Sequence, residues 1–414
     1  MDSSSRCGKE TYLFSDNCVI DTFHAKPAAP GARRFTRRLL FLTGLAALAG
    51  AGCLRRKGTG YPGYALVAAA ADAAISVVDL RAFRLAGKID LYAAPSTVLA
   101  QSAAGDALAI TGANGALHLL DLAGLTRRAS FKVADDLAGG RLLPDGRHAA
   151  VISRTSRQML IVDLAARRVS KRFRLAGTPA DLDLGVTDTG AVRVAVAMAD
   201  QMPNAGTVEQ FELDSGAHNR QYVSSSLGSL RYRRDAGFLF VANYDGRSIT
   251  VLDGRSLAPI ADLPLALRPE QLCFSADAGQ LFVTGTGMDA IAIVFTYEPL
   301  IVEQTVLAGH APGPMACSDE PGYLFVASKT GSVVSILSVL SRQVIAVVEA
   351  GQNPQQILMT PDNQYALILY GQSGELAVIR IPAITRNRNK NGAALFTMIP
   401  VGDQPVGAAI ANIG

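Results

Sequence analysis

Val77-Val78-Asp79-Leu80, Leu119-Leu120-Asp121-Leu122 and Ile161-Val162-Asp163-Leu164 are three copies of one motif, a short apolar run that ends in Asp-Leu. Their aspartates stand at positions 79, 121 and 163, so successive copies are 42 residues apart. Weaker copies follow at Phe211-Glu212-Leu213-Asp214 and Val251-Leu252-Asp253. A constant period of about 40–45 residues filled with short strands is the signature of a β-propeller. The repeat therefore predicts an all-β fold made of similar small sheets arranged in a ring.

The unit that begins at Leu227 shows the internal plan of the repeat. It contains four apolar runs separated by turn residues: Ser229–Tyr232, Phe238–Ala242, Ser248–Leu252 and Ala258–Leu263. Short runs that are rich in Val, Ile, Leu and Phe and bounded by Gly, Asp and Pro are typical of strands in small antiparallel sheets. Each unit is therefore predicted to form one four-stranded blade.

The number of units gives the number of blades. Complete units begin near seven positions: Pro95, Leu137, Pro179, Leu227, Pro269, Pro314 and Pro354. Residues 64–91 form a partial unit that lacks its first strand, and Pro405–Ala411 reads as a first strand with no partners after it. Pairing the two ends would complete the first blade and remove its exposed edges, which predicts eight blades closed by the C-terminal strand. A seven-bladed ring is the alternative, because the strands of the irregular fourth unit could be assigned differently and the number of units misread.

The second strands of the units share a further pattern, as in Tyr64-Ala65-Leu66-Val67, Leu239-Phe240-Val241-Ala242-Asn243 and Leu281-Phe282-Val283-Thr284-Gly285. Ala350-Gly351-Gln352-Asn353-Pro354 and Val401-Gly402-Asp403-Gln404-Pro405 lead into first strands. From about residue 64 to 413 the chain resembles the YVTN β-propeller repeat family, which has a Tyr-Val-Thr-Asn-like second strand after a Val-Gly-x-x-Pro start to the first. The resemblance implies a propeller, usually of seven blades. It implies no activity, since the family has no common catalytic motif.

The N-terminal part of the chain is predicted to be an export signal. Thr36-Arg37-Arg38-Leu39-Leu40 resembles the twin-arginine translocation motif. The apolar run from Leu39 to Gly52 has 14 residues, which is short for a bilayer span and suits the h-region of a signal peptide. Residues 1–52 are therefore assigned to an extension and signal, residues 53–63 to a linker, and residues 64–414 to a single propeller domain.

The end of the signal offers two outcomes. Ala51-Gly52-Cys53 resembles the end of a lipobox, so Cys53 is predicted to be lipidated and to anchor the protein to a membrane. Cleavage at Ala49-Gly50-Ala51, which would release a free periplasmic protein, is the alternative. Both outcomes place the propeller in the periplasm or at the cell envelope.

The net charge does not indicate a nucleic-acid partner. The whole chain carries a formal charge of +4, but residues 1–52 hold seven basic and four acidic groups and so account for +3 of it. The remaining +1 belongs to residues 53–414 as a whole. Nucleic-acid binding depends on clustered Lys and Arg, so no nucleic-acid partner is predicted.

Candidate binding residues lie in loops that a propeller brings to one face of the ring, the face with the blade-to-blade connectors. They are Tyr244, Asp245, Arg247, Arg154, Arg157 and His310. Asn243–Arg247 is the densest group and offers hydrogen-bonding side chains beside an aromatic ring, although Asn, Asp and Gly in such a loop are also ordinary turn residues. Loops on a rigid ring vary without disturbing the blades, so an unknown protein or small ligand is expected at this face. The competing surface is the basic loop with Arg386, Arg388 and Lys390 on the opposite face.

Catalytic, metal and disulfide chemistry find little support in the sequence. The four histidines of the propeller fall at different levels and faces: His118, His148, His218 (in a third-to-fourth-strand turn) and His310. No shared metal site is therefore predicted, and no cofactor either. Cys273 and Cys317 lie on neighbouring inner strands at unaligned positions, which favours two free thiols over a disulfide. Motifs for serine hydrolases, nucleotide loops and zinc proteases are absent from the sequence.

These observations favour an exported, non-catalytic propeller that acts as a ligand-binding or protein-interaction scaffold at the cell envelope. One alternative is a propeller similar to the eight-bladed haem d1 proteins, which matches the predicted blade number and location. Another is a hydrolase similar to the seven-bladed lactonases, which place carboxylates and arginine at the channel.

Overall fold

The computed structural model describes residues 60–100, 106–199, 206–223, 226–384 and 394–412. The predicted signal, the twin arginines, Cys53 and the basic loop with Arg386, Arg388 and Lys390 lie outside these described residues. Within the described ranges the strands form eight antiparallel sheets of four strands each, which we number blades I to VIII in chain order. The eight-bladed all-β propeller is thus confirmed, and the seven-bladed alternative is wrong.

Each blade runs from an inner strand through a second and a third strand to an outer strand, except that blade I takes its inner strand from the C-terminus. Blade I contains β1 (Gly63–Ala69), β2 (Ala74–Asp79), β3 (Arg84–Asp90) and the C-terminal β32 (Pro405–Asn412). Blade II contains β4 (Pro95–Ala100), β5 (Asp106–Thr111), β6 (Ala116–Asp121) and β7 (Thr126–Lys132). Blade III contains β8 (Gly139–Leu142), β9 (His148–Ser153), β10 (Gln158–Asp163) and β11 (Arg168–Arg174). Blade IV contains β12 (Thr178–Val186), β13 (Val192–Ala199), β14 (Gly206–Glu212) and β15 (His218–Val223).

The second half of the ring follows the same plan. Blade V contains β16 (Leu227–Tyr232), β17 (Phe238–Asn243), β18 (Ser248–Asp253) and β19 (Pro259–Pro264). Blade VI contains β20 (Arg268–Phe274), β21 (Gln280–Thr286), β22 (Ala290–Phe295) and β23 (Val302–Leu307). Blade VII contains β24 (Pro312–Cys317), β25 (Tyr323–Ser328), β26 (Val333–Ser338) and β27 (Gln343–Glu349). Blade VIII contains β28 (Pro354–Met359), β29 (Tyr365–Tyr370), β30 (Glu375–Arg380) and β31 (Leu395–Pro400), with a short 3-10 turn at Ile381–Ala383.

The aspartate of the repeated motif ends the third strand and shapes the turn to the outer strand. Asp79 Oδ1 accepts a hydrogen bond from the amide of Arg81 at 2.8 Å, and Asp253 Oδ1 accepts one from the amide of Ser256 at 2.7 Å. Side-chain bonds of this kind to amides two or three residues ahead favour a tight turn. The leucine that follows, such as Leu80, is fully buried. The motif recurs because it forms the same turn and fills the same core position in one blade after another.

The C-terminal strand closes the ring. β32 pairs with β1 in antiparallel fashion from Asn412 opposite Gly63 to Pro405 opposite Ala69. It also contacts β28 and β4, the inner strands of the two neighbouring blades, and every other inner strand likewise contacts the next one around the ring. This arrangement gives blade I its fourth strand and completes the ring of eight inner strands, so closure by the C-terminal strand is confirmed.

The apolar core lies between neighbouring blades. Phe325 and Ile336 of blade VII belong to the same buried cluster as Ile357 and Ile368 of blade VIII. Burying one such side chain contributes roughly 1.5–3 kcal/mol, so the repeated contacts between blades stabilise the ring as a whole. No helix of the described residues is both long enough and apolar enough to span a bilayer.

Candidate binding site on the connector face

Strands alternate in direction within a blade, so its loops divide between two faces. The turns from second to third strands share one face with the connectors that join each outer strand to the next inner strand, and we call it the connector face. The remaining turns form the opposite face. All six predicted site residues belong to connector-face loops: Arg154, Arg157, Tyr244, Asp245, Arg247 and His310.

The blade V loop between β17 and β18 holds three of them. Asn243 Oδ1 accepts a hydrogen bond from the amide of Gly246 at 3.0 Å, so Asn243 has the turn-forming role that the alternative interpretation expected. Asp245 and Arg247 are exposed. The hydroxyl of Ser226, in the connector that precedes the blade, donates to Asp245 Oδ2 at 2.7 Å and fixes that carboxylate.

Tyr244 connects this loop to blade VI. Its hydroxyl lies 3.2 Å from Thr286 Oγ1 at the end of β21. The guanidinium of Arg268, the first residue of β20, lies 5.6 Å from the centre of the Tyr244 ring, which is within cation–π range. An aromatic ring, a hydroxyl and a guanidinium from two blades therefore lie together on a half-exposed surface.

A cavity of about 410 Å³ adjoins this surface between blades VI and VII. It is lined by Gly285, Thr286, Gly287, Met288, Asp289, Ala311 and Lys329. Asp289 Oδ1 accepts a hydrogen bond from the Ala311 amide at 2.9 Å, and His310 Nδ1 lies 3.0 Å from Asp289 Oδ2. These hydrogen bonds lower the pKa of Asp289, so it is a carboxylate at neutral pH.

Thr286 and Asp289 line the same cavity, and one bonds Tyr244 while the other bonds His310. The structure thus joins two predicted residues that the sequence could name only separately. On the inner side of the cavity Lys329 forms an ion pair with Glu270 of β20. We call this set the V–VII patch; it consists of Tyr244, Arg268, Thr286, Asp289, His310 and Lys329.

Arg154 and Arg157 do not belong to the V–VII patch. They lie in the blade III loop between β9 and β10, and blade IV stands between them and Tyr244. The amide of Arg154 donates to Asp136 Oδ2 at 3.0 Å, which ties this loop to the connector from blade II. The six predicted residues therefore form two groups on the same face rather than a single site.

A charged cluster on the inner strands was missed by the sequence analysis. Asp181 Oδ2 of β12 accepts a hydrogen bond from Arg231 Nη1 of β16 at 2.8 Å, and Asp183 Oδ2 accepts one from the Tyr232 amide at 2.9 Å. Burial raises the pKa of Asp183, although Arg231 and Arg141 oppose the effect. The alternation in Asp181-Leu182-Asp183 places both carboxylates on one side of the strand, and this was the signal available in the sequence.

The two cysteines of the propeller and His218 do not form a reactive site together with the residues described above. Cys273 and Cys317 are free thiols, as predicted, and burial raises the pKa of each to about 12. His218 is the first residue of the outer strand β15, which corrects its predicted place in the preceding turn. Among the residues that the structure describes, no group of three His, Cys, Asp or Glu side chains is placed to hold a metal ion.

No known family model matches the chain, and no curated protein matches it. Among solved structures it is similar to the dihydro-heme d1 dehydrogenase NirN in complex with DHE, with a TM-score of 0.66 and 14% identity over 85% of this chain and 76% of that one. It is also similar to Kuenenia stuttgartiensis hydrazine synthase, with a TM-score of 0.52 and 15% identity over 75% of this chain and 90% of that one. A third similar structure is the Cps50 (Swd1) β-propeller domain of Myceliophteria thermophila, with a TM-score of 0.53 and 11% identity over 69% of this chain and 97% of that one. At these identities the likeness shows the propeller fold alone.

Proposed function

We propose that this chain is a non-catalytic propeller that binds a partner protein through the V–VII patch. The observation that carries the proposal is the contact of Tyr244 with Arg268 and Thr286, which holds an aromatic ring and a guanidinium together at the connector face. Tyrosine and arginine are the residue types that most often carry the binding energy of protein interfaces.

The surroundings of the V–VII patch suit the same role. Leu307, at the end of β23, is 74% exposed, and the half-buried Met288 lines the adjoining cavity. Charges of both signs, on Arg247 and Asp245, flank the patch. An apolar and aromatic centre with a charged rim is the usual composition of such interfaces.

The proposal includes a location at the cell envelope, for which Arg37-Arg38 and Cys53 are the support. It includes no cofactor and no nucleic acid. The hydrolase similar to lactonases stays an alternative that no contact described above favours.

A tetrapyrrole ligand is the second candidate, because one similar structure is a dihydro-heme d1 dehydrogenase. Arg141 and Arg231 near the channel could bind the carboxylates of such a ligand. The described histidines lie on β6, β9 and β15 and in the connector after β23, so no described inner strand supplies a histidine ligand to an iron in the channel. His310, in that connector, contacts Asp289.

Photo-crosslinking in the source organism tests the proposed face without disturbing the V–VII patch. Leu307 on the connector face and Leu340 on the opposite face are both highly exposed, at 74% and 94%, and each is replaced in turn by a photoreactive phenylalanine. We expect a discrete protein adduct at position 307 and none at 340. In the position-307 background, Tyr244→Ala with Arg247→Ala should lower the adduct yield about tenfold, as expected for a loss of about 1.4 kcal/mol.

The double substitution should leave the melting temperature within about 2 °C of the parent, because these side chains lie at the surface. An adduct at 340 but not at 307 would show that the opposite face is the binding face. An adduct at 307 that persists at full yield in the double variant would exclude the V–VII patch as its basis. Titration with haem, followed by absorbance, separates the second candidate: a saturable spectral change would favour it.

A further inference from the structure

Three consecutive blade interfaces form a similar cleft on the opposite face. In each, the sheet of one blade meets the first-to-second and third-to-fourth strand turns of the next blade. The clefts measure about 300 Å³ between blades II and III, 550 Å³ between blades III and IV, and 470 Å³ between blades IV and V. Because the cleft geometry repeats, the presence of a cleft does not indicate a function. The residues that line each cleft indicate whether it could bind a ligand.

The II/III cleft has an apolar floor and a basic rim. Leucines of both blades form most of the floor: Leu108, Leu119, Leu142 and Leu164. Three exposed arginines also line it: Arg128 of β7, Arg147 of the turn before β9, and Arg167 of the turn before β11. Among the described residues that line this cleft, none is acidic.

The other two clefts differ in charge. The III/IV cleft sets Asp145 and Asp214 against Lys171 and His148, and Asp145 lies 2.6 Å from His148 Nδ1. The IV/V cleft is lined by two arginines and four carboxylates: Arg193, Arg255, Asp188, Glu212, Asp235 and Asp253. A basic lining is therefore a property of the sequence at the II/III interface and not of the cleft geometry.

Three aspartates are chain neighbours of lining residues, namely Asp106, Asp145 and Asp163. Asp145 Oδ2 lies 2.6 Å from His148 Nδ1, and Asp145 lines the III/IV cleft. Asp163 precedes Leu164, and the positive charge of Arg147 contributes to the lowered pKa of Asp163. The larger cause of that lowered pKa is a hydrogen bond from the amide of Ala166, 2.8 Å from Asp163 Oδ1. Asp163 is thus held in the turn of the repeated motif, beside the cleft and not among the residues that line it.

We infer that the II/III cleft binds a single-chain fatty carboxylate, with the acyl chain on the leucine floor and the carboxylate at the arginine rim. Guanidinium groups present paired donors that match a carboxylate. The volume lies at the small end of the range of about 300–1,000 Å³ for ligand pockets, which favours one acyl chain over a two-chain lipid. This site is on the face opposite the V–VII patch, so it is independent of the proposed protein interface.

Calorimetric titration of the purified full chain with dodecanoate below its micelle concentration tests the inference. We expect one saturable site, no binding of acetate or dodecyltrimethylammonium, and affinity that falls as salt screens the arginines. Arg147→Gln with Arg167→Gln should weaken binding at least tenfold. Ala165→Phe, which keeps every charge but fills the cleft, should weaken it by a similar factor.

The matched control is Arg172→Gln with Arg174→Gln, which removes two exposed charges from the outer strand β11 of the same blade and should change the affinity less than twofold. A failure to bind dodecanoate overturns the inference. So does equal loss of affinity in the control pair, or unchanged affinity in Ala165→Phe. Binding to phosphatidylglycerol vesicles without binding to free dodecanoate would assign the arginines to a membrane surface instead.

Discussion

His118 shows how one side chain couples this fold to pH. It lies on β6 with 2% of its surface exposed, and its Nε2 is 3.2 Å from Thr111 Oγ1. Its Nδ1 has no hydrogen-bond partner within the described part of the chain. Burial, together with the nearby charge of Arg127, lowers the pKa of His118 to about 4. The folded protein therefore holds this imidazole neutral at pH values where the unfolded chain protonates it.

The sign of the resulting pH dependence follows from that shift. A histidine with a depressed pKa in the folded state contributes stability that is complete above its unfolded pKa of about 6.5 and lost as the pH falls towards 4. Between pH 7 and 4.5 we expect the free energy of unfolding to fall by about 2–3 kcal/mol through this residue. Urea unfolding at the two pH values measures the difference, and His118→Leu should remove it.

Thr111 keeps its bond to the carbonyl of Ala116 in that variant, so the substitution need not leave a buried hydroxyl unpaired. His310→Leu is the control, because its side chain is 77% exposed. An unchanged pH slope in His118→Leu would mean that the acid sensitivity arises elsewhere.

At the scale of elements, the C-terminal strand β32 is the one whose loss should affect stability most, because it closes the ring. β32 pairs with β1 along its whole length, and its Ala408 and Ala411 are buried. Deletion of residues 404–414 should leave two blade edges open and expose the apolar faces that β32 covers. We expect the truncated protein to unfold or aggregate, as measured by circular dichroism melting and light scattering. Deletion of residues 413–414 alone is the control, and this variant should melt like the parent. If the protein lacking residues 404–414 melts within a few degrees of the parent, the closure argument is wrong.

Most elements could be predicted because their signals are local. The motif at Asp79, Asp121 and Asp163 marks the third strands, and buried runs such as Tyr365–Tyr370 mark the second strands. Closure by β32 followed from counting, since an incomplete blade at one end matched a lone strand at the other.

The site was harder to predict because its contacts cross blades. Tyr244 lies 42 residues from Thr286, and His310 lies 21 residues from Asp289. Such pairs meet only when the ring fixes the rotation between neighbouring blades. The Asp181–Arg231 pair is similar, since it joins two inner strands 50 residues apart. Sequence patterns placed these loops together on the connector face, where the structure also has them, but could not specify which side chains meet there.

At the scale of the whole molecule, the ring has two faces, and each face carries a different candidate binding surface. The connector face holds the V–VII patch, and the opposite face holds the three interblade clefts. A partner protein on one face and a fatty carboxylate on the other would bind without competing. A propeller suits this arrangement because its blades keep the two faces rigid relative to each other.

The cellular location of the protein is predicted from Arg37-Arg38, as an export motif, and from Cys53, as a lipidation site. Arg37→Lys with Arg38→Lys should leave the precursor in the cytoplasm, because the translocation motif requires adjacent arginines. Arg33→Lys with Arg34→Lys is the matched control and should still be exported.

Cys53→Ala should convert a membrane-bound protein into a soluble periplasmic one, since it removes the residue that would be acylated. Fractionation of a Gram-negative host, followed by mass measurement of the mature N-terminus, distinguishes these outcomes, and Cys18→Ala controls for loss of a thiol. If Cys53→Ala stays as firmly bound as the parent, acylation is excluded, and an uncleaved signal or direct membrane contact must hold the protein. If the arginine pair at 37–38 proves dispensable while the pair at 33–34 does not, the signal begins four residues earlier than the motif indicates.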